Sequence, residues 1–232
     1  MNKKRRSGSK SKSQRLPIAR YCVVFRKDGV ARFLSHLDLQ EAWIRSLRRA
    51  FLPLAYSQGF HPRPKLQFEE ALPLGWASEA ERFWVELSTP MASFEILRRL
   101  IGEAPPGIEV VQAFPFAGKP QAPAFRVYAL KGDCVQSLAA NEALCAERLA
   151  AWRKQNGEQP VQFGVSAEGW VLELQSLPGQ NLLSPKKVLI GLLALETLPL
   201  ELQVRRLAVA RAEALAGYRA LGQSCPRSEE AA

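Results

Sequence analysis

Residues 33–65 have the sequence FLSHLDLQEAWIRSLRRAFLPLAYSQGFHPRPK, in which a helical pattern leads into a loop rich in aromatic residues, glycine and proline. Ser35, with Asp38 three positions later, matches the spacing of a capping box at the start of a helix. Apolar residues then recur with helical spacing, at Leu39, Trp43, Leu47 and Ala50. Proline disfavours a continuing helix, so the helix should end before Pro53. The stretch therefore predicts an amphipathic helix with one buried face.

The positive charge of the chain is concentrated around this stretch. Residues 1–65 contain 16 Lys and Arg against 3 Asp and Glu, whereas the whole chain of 232 residues has a net charge of +10. The remainder is therefore mildly acidic. A field of one sign at one end of a protein suits a phosphate-rich partner, and we expect that partner to be RNA. An anionic surface or an acidic protein is the alternative partner for such a charge pattern.

Strand patterns lie on both sides of the helix. Residues 21–25 and 66–70 form two of them, and residues 82–87 and 107–111 form two more, with a second helix predicted over 91–101. The resulting order, β-α-β-β-α-β, is that of the ferredoxin-like fold.

The same order recurs after a segment rich in proline, glycine and alanine. It consists of strands at 125–130, 161–165, 169–174 and 202–209 and helices at 135–155 and 184–195. The sequence therefore predicts an α+β protein built from two tandem ferredoxin-like (βαββαβ) units. The predicted division is a disordered basic arm (1–18), a first domain (19–116), a linker (117–123), a second domain with a final helix at 210–221 (124–222) and a polar tail (223–232).

The composition excludes several classes of protein. No run approaches the roughly 18 apolar residues of a membrane span, and the basic N-terminus is not followed by the apolar core of a signal peptide. We therefore expect a cytoplasmic protein that does not contact a membrane. The cysteines have no spacing typical of metal ligands, so we expect buried thiols, no bound metal and no cofactor; they are Cys22, Cys134, Cys145 and Cys225.

Two groups of residues are candidates for binding RNA. The first is a set of arginines on a second face of the helix, and the second lies in the loop, where prolines stiffen the backbone and aromatic rings could stack an unpaired base. We expect the RNA-binding residues to be Arg45, Arg48, Arg49, Tyr56, Phe60, His61, Arg63 and Lys65.

His36 is a candidate catalytic residue only if the protein is an endoribonuclease. At the first turn of the helix, the positive end of the helix dipole would favour a neutral imidazole, which could remove a proton from a ribose 2′-hydroxyl while Arg45 or Arg49 stabilised the developing charge. Such a reaction usually needs a second acid or base, for which the candidates are Tyr21, Tyr56 and His61. Otherwise His36 is structural and the protein has no catalytic residue.

The segments FLSHLDL, RSLRRAFLPLAYSQGFHPRPK and ALPLGWASEAERFWVEL resemble a bacterial family of radical-SAM-associated domains of unknown function. The resemblance implies a partner radical SAM protein with a cobalamin-binding-type region, either in the same polypeptide or in a separate one. This chain lacks the CxxxCxxC motif of the cluster-binding half, so any radical chemistry would belong to another polypeptide. A second likeness, to the CRISPR repeat-processing endoribonucleases, depends on the order of elements and the basic loop alone.

These patterns favour a non-catalytic accessory protein that binds structured RNA, either tRNA or rRNA, for modification by a radical SAM enzyme. A metal-independent endoribonuclease is the alternative from the enzyme class. A basic protein-docking module without RNA is the third hypothesis.

Overall fold

The computed structural model describes residues 19–120, 123–139, 142–157, 161–166, 169–175 and 183–210. The predicted basic arm, the polar tail and all but the first residue of the predicted final helix lie outside these ranges. None of the helices within them is long and apolar enough to cross a membrane.

The N-terminal half of the described chain runs from Ala19 to Pro115 and has four strands. Its elements are β1 (Ala19–Lys27), a short 3-10 helix (Gly29–Phe33), α1 (His36–Arg49), β2 (Leu66–Phe68), β3 (Ala77–Leu87), α2 (Ser93–Ile101) and β4 (Ile108–Pro115).

The C-terminal half runs from Phe125 to Ala210 and repeats the alternation of strands and helices. Its elements are β5 (Phe125–Lys131), α3 (Asp133–Ala139), α4 (Glu142–Asn156), β6 (Val161–Ser166), β7 (Gly169–Gln175), α5 (Pro185–Leu193) and β8 (Gln203–Ala210).

All eight strands belong to one mixed sheet. Its order is β4-β1-β3-β8-β5-β7-β6, and β2 pairs with β3 beside this path. Every pairing is antiparallel except that of β3 with β8, where Ala77 lies opposite Arg205 and Ser78 opposite Arg206. The predicted α+β class is confirmed, with five α-helices in the described ranges.

Helix α1 forms as its sequence predicts. Ser35 caps it, since its hydroxyl accepts a hydrogen bond from the backbone N–H of Asp38 at 3.2 Å. The predicted apolar face is buried throughout, and at its centre Trp43 packs edge-on against Phe25 of β1, with ring centroids 5.1 Å apart. The burial of this face fixes α1 against the sheet, and the opposite face is left to solvent.

Several elements differ from their predicted bounds, and two of them differ substantially. Strand β3 begins at Ala77, not at Arg82, because residues such as Ser78 and Glu81 are buried and hide the alternation that indicates a strand. The single helix predicted over 135–155 is instead two helices, α3 and α4.

The two halves are joined by more than the short parallel pairing. Leu72 and Trp76 of the N-terminal half are buried in the hydrophobic core of the C-terminal half, where Trp76 contacts Tyr128 edge-on at 5.6 Å between centroids. Arg126, with a fully buried side chain, donates to Glu70 across the junction at 2.7 Å. The core of the C-terminal half therefore includes residues of the N-terminal half.

Candidate nucleic-acid interface

The C-terminal end of α1 exposes a pair of arginines. Because Leu47 and Ala50 face the core, Arg45 and Arg48 point away from it, and both are exposed. Within the part of the chain that the structure describes, neither side chain takes part in a hydrogen bond or an ion pair. These guanidinium groups are thus available to an anion from solvent.

Arg49, the third arginine of this predicted group, is already paired. Its Nε donates to a carboxylate oxygen of Glu103 at 2.7 Å, and its Nη2 donates to the hydroxyl of Ser46 at 3.2 Å. The pairing connects the end of α1 to the turn that follows α2. Any phosphate contact by Arg49 would compete with Glu103.

The basic loop, Tyr56–Lys65, is braced by its own backbone. The N–H of Ser57 donates to the carbonyl of Arg63 at 2.8 Å, and the N–H of Arg63 donates back to the Ser57 hydroxyl at 3.0 Å. One residue further from the tip on each side, Tyr56 and Pro64 form an isolated antiparallel bridge. The residues between Ser57 and Arg63 therefore project as a closed finger.

The tip of the finger carries an aromatic ring in solvent. Gly59 has φ +136, a conformation that side chains disfavour, and this glycine allows the chain to reverse just before Phe60. The relative exposure of Phe60 is 102%, the full exposure of an isolated residue. His61 and Arg63 are exposed beside it, and Tyr56 is 43% exposed. The structure thus leaves four of the predicted RNA-binding residues exposed in one loop.

The base of the finger is held by a carboxylate at the end of β3. Glu86 accepts hydrogen bonds from Lys65 at 2.8 Å and from Arg20 at 2.6 Å. These hydrogen bonds, that from Lys65 first, hold the pKa of Glu86 below its ordinary value. The backbone also joins here, since the N–H of Lys65 donates to the carbonyl of Ala55 at 2.9 Å. Lys65 therefore anchors the loop to the sheet and already has a partner.

His36 lies at the opposite end of α1 from the arginines. Its Nε2 is 2.7 Å from the amide nitrogen of Gln40, and its ring meets Phe68 edge-on at 5.5 Å between centroids. At about 1.5 Å of rise per residue, Arg45 lies roughly 13 Å and Arg49 roughly 20 Å further along the helix axis. The structure does not bring His36 and these arginines to a single phosphate.

Tyr21, a possible second acid or base for that reaction, is occupied inside the protein. Its hydroxyl donates to the carbonyl of Met91 at 2.6 Å and accepts from the N–H of the same residue at 2.8 Å, and the side chain is 3% exposed. These bonds fix the loop that precedes α2.

The cysteines expected to be buried differ in their exposure. Cys22 and Cys145 are buried, at 2% and 6% exposure, whereas Cys134 is only partly buried. Cys225 lies outside the described residues. Among the residues that are described, no three His, Cys, Asp or Glu side chains come together as metal ligands would.

Phe51 is a surface residue that the sequence pattern did not identify. Its spacing from Leu47 would place it on the buried face of α1 if the helix continued. The helix instead ends at Arg49, and Leu52 turns inward while Phe51 is 84% exposed. Phe51 lies three residues after Arg48 and is connected to the basic loop by residues 52–55.

Comparison with protein-family models gives an informative match. A family model described as "Uncharacterized protein conserved in bacteria (DUF2344)" matches residues 20–165. No curated protein matches the chain. A solved structure of an unknown protein from Galdieria sulphuraria aligns with 68% of this chain and 79% of that chain, at 12% identity and a TM-score of 0.26. A likeness at that level bears on neither fold nor function.

Proposed function

The chain belongs to the DUF2344 family of uncharacterized conserved bacterial proteins, and we propose that it is a non-catalytic, cytoplasmic accessory protein that binds structured RNA. In this proposal, Arg45, Arg48 and Arg63 contact phosphates, and Phe60 stacks on an unpaired base. His61 follows Phe60 at the tip of the finger and Tyr56 lies at its base, and both add to the same contact. Arg49 and Lys65 already have carboxylate partners, so a phosphate would bind them only in competition with Glu103 and Glu86.

One observation carries the proposal: a fully exposed aromatic ring stands on a braced loop that is connected to the helix bearing unpaired arginines. Burial of apolar surface stabilises a fold, so an aromatic ring held entirely in water contributes almost nothing to folding. Nucleic-acid sites use this pairing of exposed rings and basic groups, since bases stack on the rings while the cations neutralise phosphates. Bracing by backbone hydrogen bonds also reduces the entropy that binding would remove from the loop.

The partner enzyme in this proposal is a radical SAM protein with a cobalamin-binding-type region. The support is the resemblance of residues 33–39, 45–65 and 71–87 to radical-SAM-associated domains. RNA bound at the basic loop would be presented to that enzyme for modification, with tRNA and rRNA as the substrate classes.

We also propose that the halves are tandem ferredoxin-like units fused into one sheet. The supporting observation is the strand order. In the N-terminal half it is β4-β1-β3-β2 and in the C-terminal half β8-β5-β7-β6, so both follow the order fourth, first, third, second. A structure superposition of each half on ferredoxin-like domains tests this assignment.

RNA binding is tested by measuring the affinity of the purified protein for tRNA and for rRNA fragments over a range of salt concentrations. Each lost phosphate contact lowers the slope of log affinity against log salt by about 1, so the double variant Arg45→Gln/Arg48→Gln should lower it by about 2. The matched control is Lys186→Gln/Lys187→Gln, which removes the same charge from exposed positions on α5. Equal slopes in the two double variants would contradict the assignment of the arginines.

The partner is tested by affinity capture of the tagged protein from bacterial lysate, with and without nuclease, followed by identification of RNA and protein. Enriched tRNA or rRNA together with a radical SAM protein supports the proposal. A protein partner that stays bound after nuclease treatment, with no enriched RNA, would instead favour the docking alternative and contradict an RNA role.

A further inference from the structure

The turn that ends α1 places Phe51 in a conformation suited to glycine. The N–H of Phe51 donates to the carbonyl of Arg48 at 3.0 Å, and that of Leu52 donates to Leu47 at 3.4 Å. This pair of bonds is the Schellman motif, whose first residue beyond the cap adopts the left-handed region and is usually glycine. Phe51 occupies that position with φ +51.

Folding alone does not account for a phenylalanine at this position. The hydrophobic contact that accompanies the motif is made by Leu52 and Leu47, both of which are buried. Phe51 adds backbone strain that glycine would avoid, and its ring remains 84% exposed. A bulky side chain that strains the backbone and buries little surface points to a role in contacting something outside the chain.

The surroundings of Phe51 are basic. Arg48 lies one turn before it on α1, and Arg99 of α2 donates to the Phe51 carbonyl at 3.1 Å. The nearby carboxylate Glu95 accepts from both Arg98 and Arg99, and these hydrogen bonds lower its pKa to about 2. The ring therefore lies among positively charged side chains, and the nearby carboxylate of Glu95 is ionised and already paired with two arginines.

We propose that Phe51 is a second base-stacking platform, and that together with Phe60 it makes this site specific for an unpaired, single-stranded stretch of RNA. The inference rests on the proposed function and defines its ligand more narrowly. In a duplex the bases are stacked on one another, and no ring can reach their faces, whereas unpaired bases can be splayed onto aromatic side chains. Arg45 and Arg48 bind the phosphates between the two stacked bases.

Phe51→Gly is the variant that tests this inference, because it removes the ring and relieves the backbone at the same time. The matched control is Ala194→Gly. Ala194 ends α5 in the same motif, with φ +51 and with its N–H donating to Gly191 and that of Leu195 to Ile190. Ala194 is exposed and carries no ring.

The probes are a labelled oligo-uridine and a fully paired RNA of the same length, titrated with the wild type and with both variants. Loss of one stacking contact corresponds to about a 5- to 150-fold weaker affinity. We expect Phe51→Gly to bind oligo-uridine more weakly by this factor. Ala194→Gly should bind it with wild-type affinity, and Phe51→Trp, which keeps an aromatic ring, should bind it with nearly wild-type affinity. The wild type should prefer oligo-uridine to the duplex.

The outcomes separate this inference from the function on which it rests. Wild-type binding to neither probe, nor to tRNA or rRNA, would overturn the proposed function and the inference with it. Oligo-uridine binding that Phe51→Gly leaves unchanged would overturn the inference alone, as would equal affinity of the wild type for the duplex. Loss of a captured protein partner in Phe51→Gly, with RNA binding intact, would assign the ring to protein docking and overturn the inference.

Discussion

Arg206 of β8 donates from its Nη2 to a carboxylate oxygen of Glu81 of β3, and the two side chains are only 1% and 3% exposed. The pair thus crosses the junction between the two halves inside the protein. Desolvation of two charges is expensive, and their mutual attraction offsets it only while both partners are present. The junction is therefore sensitive to loss of either charge.

Replacement of Arg206 alone should be strongly destabilising. Arg206→Met leaves Glu81 buried without its partner, and breaking a buried pair in this way typically lowers the free energy of unfolding by about 3 to 5 kcal/mol. The double variant Arg206→Met/Glu81→Met should recover part of that loss, since apolar residues often replace a buried pair at little cost. The recovery should be incomplete, because Lys27 and Glu70 each lose a charged neighbour. Chemical denaturation of the wild type, both single variants and the double variant measures the coupling.

An exposed pair provides the comparison for this cycle. Arg98 and Glu95 on α2 lie at the surface, where ion pairs contribute little, so Arg98→Met should leave the free energy of unfolding nearly unchanged. Additive effects of the two substitutions at Arg206 and Glu81 would show that the pair does not couple the halves.

Glu86 should make the stability of the loop's base depend on pH. Its pKa is lowered in the folded state from the ordinary value of 4.5, by the hydrogen bonds from Lys65 and then Arg20. The ionised carboxylate therefore contributes stability above about pH 4.5, and the contribution is lost as the pH falls through the lowered pKa. Glu86→Gln should lower the free energy of unfolding by about 1 to 2 kcal/mol at pH 7.

Measurement of this effect requires denaturation of the wild type and Glu86→Gln at several pH values between 7 and 3. The difference between the two proteins should shrink as the pH falls. Glu41→Gln, at an exposed position of α1, is the control and should show no such trend. A difference between wild type and Glu86→Gln that stays constant over the whole range would rule out the ionic role of Glu86.

Phe60→Ala should weaken RNA binding without altering stability. The ring is fully exposed, so its removal should not change the free energy of unfolding, whereas loss of a stacked base costs about 1 to 3 kcal/mol of binding. Leu200→Ala is a matched control, because Leu200 is also 102% exposed but lies in the C-terminal half. Equal RNA affinities for the two variants would remove Phe60 from the interface.

Phe51→Gly should be at least as stable as the wild type. Glycine adopts the left-handed conformation without strain, which should raise the free energy of unfolding by about 1 to 2 kcal/mol. Glycine also makes the unfolded chain more flexible, which should lower the free energy of unfolding by about 0.4 to 1 kcal/mol. The free energy of unfolding should therefore rise slightly, and Ala194→Gly should behave in the same way. A fall of more than about 1 kcal/mol in Phe51→Gly would mean that the ring packs on the protein and is no free platform.

Helix α1 could be predicted from sequence because every local signal agreed. The cap at Ser35, the apolar spacing through Trp43 and the proline at 53 all favoured the same element. The exposed loop tip at Phe60 was also predictable, since Gly59 and the prolines define a turn whatever surrounds them.

The remaining features depend on contacts between distant parts of the chain. Charged residues in a strand indicate a solvent-facing side, so the burial of Arg126 and Arg206 could not be foreseen before β3 and β8 were known to pair. The pairing of Arg49 with Glu103 and of Lys65 with Glu86 likewise follows from the packing of α1, α2 and β3. Phe51 was missed because its helical spacing places it in the core, and only the turn after Arg49 moves it to the surface.

Photocrosslinking of the protein to RNA that contains 4-thiouridine tests the central claim most directly. Trypsin would release residues 50–65 as one peptide, because Arg63 is followed by proline, and this peptide contains both Phe51 and Phe60. The account predicts that the crosslinked nucleotide is recovered on this peptide, and that Phe60→Ala reduces its yield. Crosslinks found only on peptides of the C-terminal half, at a yield unaffected by Phe60→Ala, would contradict the account.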